Sequence, residues 1–424
     1  MTPAPRGSQI LRARIVLPVS QPPREDGAVL VSGGRIAWAG RWSEVPAHER
    51  GEVVDLGEVI LLPGLINAHC HLDYTGMAGL FPPPRSFCEW IKCITAEKAA
   101  WSDADFARSW REGAGMLLRS GTTTVADMEA VPALLPAAWE ATPLRVISFL
   151  EMTGIRSRRD PAAILNETIA KIDSLPPGRC RATLSPHAPY STVPELMRRS
   201  AAAARKRSWL VTTHLAESAA EFEMFRRGHG EMFKWLARNQ RDMSDCGLGS
   251  PVQHLERSRV LGPNLLAAHV NYLAPGDAAL LARRKVTVVH CPRSHDYFRH
   301  RPFPYHTLAR AGVRVCLGTD SLATVRTHRR QPVALSLFDE MRAMAATRPG
   351  LSPETILRLA TVNGAAALGR KGEIGELKAG ALADLIAVPF NGLPQNAWEA
   401  VVHHLGTVKA SMIDGRWVWP PPGK

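Results

Sequence analysis

The chain has 424 residues, 45% of them hydrophobic and 21% charged, which excludes an intrinsically disordered chain; no Gly-X-Y period runs through it, which excludes a collagen-like one. Lys and Arg number 52 against 39 Asp and Glu, a formal charge of +13. That basic excess points first to an anionic partner: nucleic acid, a membrane surface or an acidic substrate.

The stretch from Met1 to Gln21 carries Pro3, Pro5, Arg6 and Arg12 but no continuous apolar run of the kind a signal peptide needs. No later window approaches the roughly 18 uninterrupted apolar residues of a membrane span. Seven cysteines (Cys70, Cys88, Cys93, Cys180, Cys246, Cys291 and Cys316) form no CxxC pair, so neither a zinc ribbon nor a thioredoxin-like motif is expected. Their scatter fits a reducing compartment. A soluble cytoplasmic protein is the expectation.

From Ile10 to Ile60 the pattern is of short strands broken by turns, with Val29-Leu30-Val31 running into Ser32-Gly33-Gly34 as hairpin punctuation. The C-terminal end has the same texture: Gly380–Val388, then Val408–Trp419 with Asp414-Gly415 as a tight turn. Two strand-rich ends around a different middle suggest one small β-domain built from both termini.

The middle alternates apolar runs with helical stretches. The runs are Leu65–His71, Thr123–Met128, Leu144–Glu151, Ala182–His187, Leu210–Glu217, Leu265–Asn271, Thr287–Ser294 and Arg314–Ser321. Helical stretches include Asp103–Arg119, Pro194–Lys206 and Asp277–Arg284, and the last helix starts at Ser352-Pro353-Glu354 with Ser as N-cap and Pro in first position. Strand–helix alternation implies a parallel sheet. Eight such units over about 260 residues match a (β/α)8 barrel. A doubly wound open sheet is the rival, but no GxGxxG follows the first strand. The expected division is 1–62 and 379–424 as the two parts of a β-sandwich, with 63–378 as the barrel.

Chemistry in such a barrel collects where strands end. The first strand ends "NAHCHLDY", and His69 and His71, two apart, point to one face of an extended strand. The fourth ends in His187, the fifth in His214 with Glu217 three on, the sixth in His269, the seventh in His290 and the eighth in Asp320. Singly these are weak signals: a lone strand-end His is more often structural, and an Asp before Ser reads as a helix N-cap. Recurring around one barrel, three imidazoles and a carboxylate describe a catalytic Zn2+ or Fe2+ site with an open position.

"PGLINAHCHLDYT", "HLAES", "HCPRSH" and "LGTDSLAT" resemble the amidohydrolase superfamily, and within it the aminohydrolases that deaminate purines and related heterocycles. "FCEWIKCI" and "CPRSHDYFRHRPFPYHTL" are most similar to aminodeoxyfutalosine deaminases, with S-adenosylhomocysteine and methylthioadenosine deaminases as neighbours. The resemblance implies a (β/α)8 barrel with a terminal β-sandwich and one divalent metal ion, Zn2+ or Fe2+, held by His69, His71, His214 and Asp320. His269 would orient the attacking water, Asp320 would move its proton, and Glu217 would protonate the ring nitrogen beside the carbon losing its amine. Strand four offers Ser185 and His187 but no lysine to bridge two metals, which implies a mononuclear centre.

His187 resembles the family's substrate-contacting residue, while His295 stands where many relatives carry Asn. Trp90 is a wall over the base or a core residue. Arg156, Arg158 and Arg159 are a solvated run or include a residue gripping a substrate carboxylate. The expected function is a deaminase acting on a purine-type nucleoside, an adenosine derivative such as aminodeoxyfutalosine, in a small-molecule enzyme for which the resemblance also allows a homodimer. The alternative on the same scaffold cleaves another C–N bond, in an s-triazine, guanine-type or cyclic amide substrate. A nucleic-acid-binding module would need clustered Lys/Arg interleaved with aromatics, whereas the basic runs here are short and separate.

Overall fold

The computed structural model describes residues 7–46, 52–154, 159–327 and 333–420. At the N-terminal end β1 (Gln9–Val16), β2 (Arg24–Ser32) and β3 (Arg35–Arg41) form an antiparallel meander. The β2–β3 turn is Gly33-Gly34, with φ of 57° and 80°, the left-handed pair that a two-residue hairpin matched to strand twist requires. One stretch of β1 pairs in parallel with β4 (Glu52–Asp55), and a later one with β5 (Val59–Pro63).

Eight parallel strands follow: β6 (Leu65–Cys70), β7 (Thr122–Glu129), β8 (Arg145–Met152), β9 (Arg181–Pro186), β10 (Val211–Leu215), β11 (Leu265–His269), β12 (Thr287–His290) and β13 (Arg314–Leu317). They are hydrogen-bonded in chain order from β6 to β13. This is the expected barrel. Most of its strands are buried along their whole length, so they read as near-continuous apolar runs rather than as alternation.

The barrel closes at its C-terminal rim. The His71 amide donates to the Asp320 carbonyl, and the Asp320 amide to the His69 carbonyl, both at 3.1 Å. One layer down, Asn67 donates to Thr319 Oγ1 at 2.8 Å and accepts from the Thr319 amide at 3.1 Å. Gly318 permits the approach, because a Cβ there would lie 2.7 Å from the His69 carbonyl oxygen.

Helices pack outside the strands. α1 (Phe87–Ala100) is capped by Ser86, and α2 (Asp103–Arg119) by a Ser102–Asp105 capping box. α2 buries Phe106, Trp110, Ala114 and Leu117 at helical spacing, and the Trp110 indole donates to Asp127 Oδ2 at 2.9 Å. No helix among the described residues is long and apolar enough to cross a membrane. All seven cysteines are unpaired.

The chain then returns to the first sheet as β14 (Leu385–Pro389), β15 (Ala410–Ile413) and β16 (Arg416–Trp419). β14 pairs antiparallel with β5, so both termini share one sheet around Leu11, Val29, Leu61, Leu385 and Met412. Asp414-Gly415 makes the β15–β16 turn read from the sequence, with φ of 51° and 73°. Arg145, first residue of β8, ties the base of the barrel to this sheet. Its guanidinium lies 3.2 Å from Asp384 and 2.6 Å from Asp414, and Arg145 and Asp384 are 5% and 1% exposed. Arg145→Met strands the buried Asp384 carboxylate and is expected to cost about 3–5 kcal/mol in denaturant unfolding. Arg145→Met with Asp384→Asn should recover part of that loss; an additive double variant would contradict the pairing.

Candidate metal centre

The strand ends converge. His69 and His71, two apart across the end of β6, face Asp320 Oδ1 at 3.6 and 3.7 Å, and His71 Nε2 lies 3.3 Å from His214 Nε2. The ligand atoms of His69, His71 and Asp320 lie within 4.8 Å of one another, as do those of His69, His214 and His269. All five residues are buried.

The backbone is bent to achieve this. Register pairs Leu215 with His269, which would set His269 on the Leu215 face, away from His214. Instead His269 and Val270 adopt φ of 73° and 50°, and the imidazole comes within 5.4 Å of the His69 and His214 rings. Ala216 and Asp320 are left-handed as well, at 48° and 54°. Such conformations cost non-glycine residues of the order of 1–3 kcal/mol each and cluster at functional sites.

Partners behind the ligands fix their orientation. The His214 ring contacts the His187 carbonyl through Nδ1 at 2.9 Å, directing Nε2 toward His71. Asp320 Oδ2 accepts from Ser294 at 2.6 Å and from Thr324 at 3.2 Å, leaving Oδ1 to the histidines. Glu217 approaches His269 Nε2 at 3.6 Å. Its backbone is held by Glu221, which accepts from the Ala216 and Glu217 amides at 3.0 and 2.8 Å, and by Asn271, which donates to the Glu217 carbonyl at 2.9 Å.

Burial sets the protonation states. It pushes the His214 and His187 imidazoles down to about 3 and those of His71 and His269 well below their ordinary value, giving the neutral form that binds metals. Burial also raises the Asp320 carboxyl, but the facing imidazoles of His69, His269 and His71 outweigh it and hold the group ionised. Glu217 moves the other way: burial, then the carboxylates of Asp320 and Glu221, push it well above its ordinary value, toward the protonated form.

The site fits a metal ion. Among the described residues, His69 Nε2 and His269 Nε2 are buried without hydrogen-bond partners. Buried ring nitrogens turned toward one another and toward a carboxylate gain from a shared cation. Two nitrogens on one tetrahedral ion with bonds of about 2.0–2.1 Å lie about 3.3 Å apart, the His71–His214 spacing.

A cavity of about 310 Å3 opens beside this centre, lined by His71, Tyr74, Trp90, Glu151, His187, His214, Glu217, Trp235 and Asp320 among others. Trp90, Ile91, Ile94, Thr95 and Lys98, one face of α1, form its roof. Trp90 proves to be both wall and packing residue, with its ring against Phe87 and Phe298. A larger open hollow of about 580 Å3 lies at the opposite end, where β8 and β9 begin, and holds none of these groups.

The remaining candidates fall differently. His187 lines the cavity and contacts Ser191. His290 stacks on Phe303 at 3.8 Å and His295 contacts Asn271 at 3.0 Å, placing both behind the site. Arg293 is taken up by Glu340 and Asp339. Arg156 and Arg158 lie outside the described residues, and Arg159 pairs with Glu167. Sequence reasoning missed Glu221, Ser294, Thr324, Asn271, Glu151 and Lys98. Ser294 and Thr324 sit inside "HCPRSH" and "LGTDSLAT", and Glu221 stands four residues after Glu217, a spacing that places both at one helix start.

The model of the amidohydrolase family matches residues 60–418. A 5-methylthioadenosine/S-adenosylhomocysteine deaminase of Syntrophobacter fumaroxidans (strain DSM 10017 / MPOB) is 32% identical over 86% of this chain and 80% of its own. The crystal structure of Helicobacter pylori aminofutalosine deaminase with methylthio-coformycin superposes with a TM-score of 0.85, 21% identity, and coverage of 97% of this chain and 100% of that one. A zinc-bound adenosine deaminase from Xanthomonas campestris gives 0.82 at 23% identity, covering 98% and 93%. With the match spanning barrel, strand-end ligands and returning sheet, the chain belongs to the amidohydrolase family, a metal-dependent family of hydrolases acting on C–N bonds.

Proposed function

We propose that the protein is a metal-dependent deaminase of purine-type nucleosides, replacing the exocyclic amine of an adenosine derivative with oxygen and releasing ammonia. The observation that carries this reading is a buried cluster of imidazoles around Asp320 with a second carboxyl, Glu217, 3.6 Å from His269, the surroundings pushing Asp320 down and Glu217 up. The deaminase relatives support the purine, and the tryptophan-walled cavity is of a size to take it.

His69, His71, His214 and Asp320 would hold one divalent ion, Zn2+ or alternatively Fe2+. When bound, such an ion supplies the acidity that makes water a nucleophile near neutral pH. Asp320 accepts the proton of the attacking water as its oxygen bonds to the carbon bearing the amine. Glu217 delivers its proton to the adjacent ring nitrogen, so no negative charge accumulates on the ring as it loses aromaticity. His269, kept neutral by burial, orients the water. The C–N bond then breaks, and the leaving nitrogen departs as ammonia with the proton that Asp320 returns, while the proton left on the new oxygen passes back to Glu217 as the carbonyl forms. Glu221 and Asn271 position Glu217 by its backbone.

The basic surface does not compete with this reading. Arg198 pairs with Glu195 and Arg207 with Asp173, both at 2.8 Å, and Arg326 with Asp296 at 3.3 Å. These pairs sit on separate elements rather than in one stripe.

Two measurements test the proposal. Elemental analysis of the metal-loaded protein should give one ion per chain, and His214→Ala should cut affinity by two orders of magnitude or more; full retention would contradict the ligand set. Ammonia release and loss of adenine absorbance should appear with at least one adenine nucleoside. Glu217→Gln should remove at least three orders of magnitude of kcat (~4 kcal/mol) while keeping the metal; turnover near that of the unmodified protein would refute its role.

A further inference from the structure

Glu151, near the end of β8, has no task in the reaction above. Its side chain is 7% exposed and lines the cavity. Oε1 is buried and accepts no hydrogen bond from any described residue. The nearest basic group, His187 Nε2, is 3.8 Å away, beyond hydrogen-bonding reach, and burial holds that imidazole neutral. A buried carboxylate oxygen left unpaired beside a ligand cavity is an acceptor waiting for a donor on the ligand.

The chemistry of the donor follows from where Glu151 stands. Glu217 lines the cavity from the end of β10, and Glu151, His187, Tyr74 and Lys98 line it from β8, the β9 end, the β6 end and α1. A Glu151 oxygen lies within 4.8 Å of the His71 and His214 ring nitrogens. In adenine the sugar is carried on the edge of the base opposite the ring nitrogen that would meet Glu217. The free edges of adenine away from the amine carry acceptors, N3 and N7, which cannot donate to a carboxylate. The sugar hydroxyls can. Lys98, the only Lys or Arg among the described residues lining this cavity, donates to the Tyr74 hydroxyl.

We propose that Glu151 is a specificity-determining residue that accepts a hydrogen bond from a sugar hydroxyl, making the enzyme selective for ribonucleosides over deoxyribonucleosides. This inference rests on the deaminase reading. A site built to bond a hydroxyl discriminates against the analogue lacking it, because its own polar group is then left unpaired.

The test measures ammonia release by the metal-loaded full chain from adenosine, 2′-deoxyadenosine and 3′-deoxyadenosine, and from their 5′-methylthio counterparts, with Glu151→Leu and Glu151→Gln alongside. The unmodified protein should favour the ribonucleoside over at least one deoxy analogue by about 10- to 100-fold in kcat/KM. That ratio should fall toward one in Glu151→Leu, whereas Glu151→Gln, which keeps an acceptor oxygen, should retain an intermediate ratio. Equal loss on all substrates in both variants would make Glu151 a positioning residue for His187, and loss of bound metal in Glu151→Gln would make it a ligand; either overturns the inference. Deamination without any ribose preference overturns it while the deaminase reading stands. No ammonia from any nucleoside sinks both.

Discussion

The seam between the first and last barrel strands is the constraint on which the rest depends. β6 and β13 are joined at the rim by the amides and carbonyls of His69, His71 and Asp320, the same residues whose side chains converge as the proposed ligands. Closing the barrel and assembling the metal centre are therefore one event. Asn67 and Thr319 stitch the layer beneath, and Gly318 lets the two backbones touch. Anything that widens the seam moves three ligand side chains together.

Electrostatics follow from burial at that rim. Neutral imidazoles, an ionised Asp320 and a protonated Glu217 coexist within a few ångströms because each meets a different neighbourhood. Asp320 is fed by two hydroxyls and faces imidazoles; Glu217 faces carboxylates. Some buried polar groups of the barrel find their partners within the chain. Asp127 takes the Trp110 indole and the Leu72 amide, and Arg145 takes Asp384 and Asp414. Buried atoms of His69, His269 and Glu151 without a hydrogen-bond partner among the described residues lie at the mouth, where a ligand or ion would complete them.

Much of this was legible in the sequence. Period-two spacing put His69 and His71 on one face, and strand–helix alternation supplied the barrel, so the strand ends offered the candidates from which the family resemblance singled out His69, His71, His214 and Asp320. Gly33-Gly34 and Asp414-Gly415 announced their turns by the left-handed φ they demand. What escaped was whatever depends on long-range approach. Nothing in the spacing shows that β6 and β13 share hydrogen bonds, that His269 is turned inward by a left-handed residue, or that Glu151 on the third barrel strand reaches the cavity. Hydroxyl partners such as Ser294 and Thr324 lie inside recognisable motifs, yet their bonds to Asp320 are set by the loops. Arg293 is taken up by Glu340, a partner 47 positions away that no local pattern links to it.

The most direct test of the central claim is an anomalous difference map, collected at the absorption edge of the bound metal on crystals of the loaded protein. One peak per chain, within bonding distance of His69, His71, His214 and Asp320, is the expected result. Two peaks, or a single peak coordinated by a different set of residues, would contradict the seam-built centre on which the proposed deaminase chemistry stands.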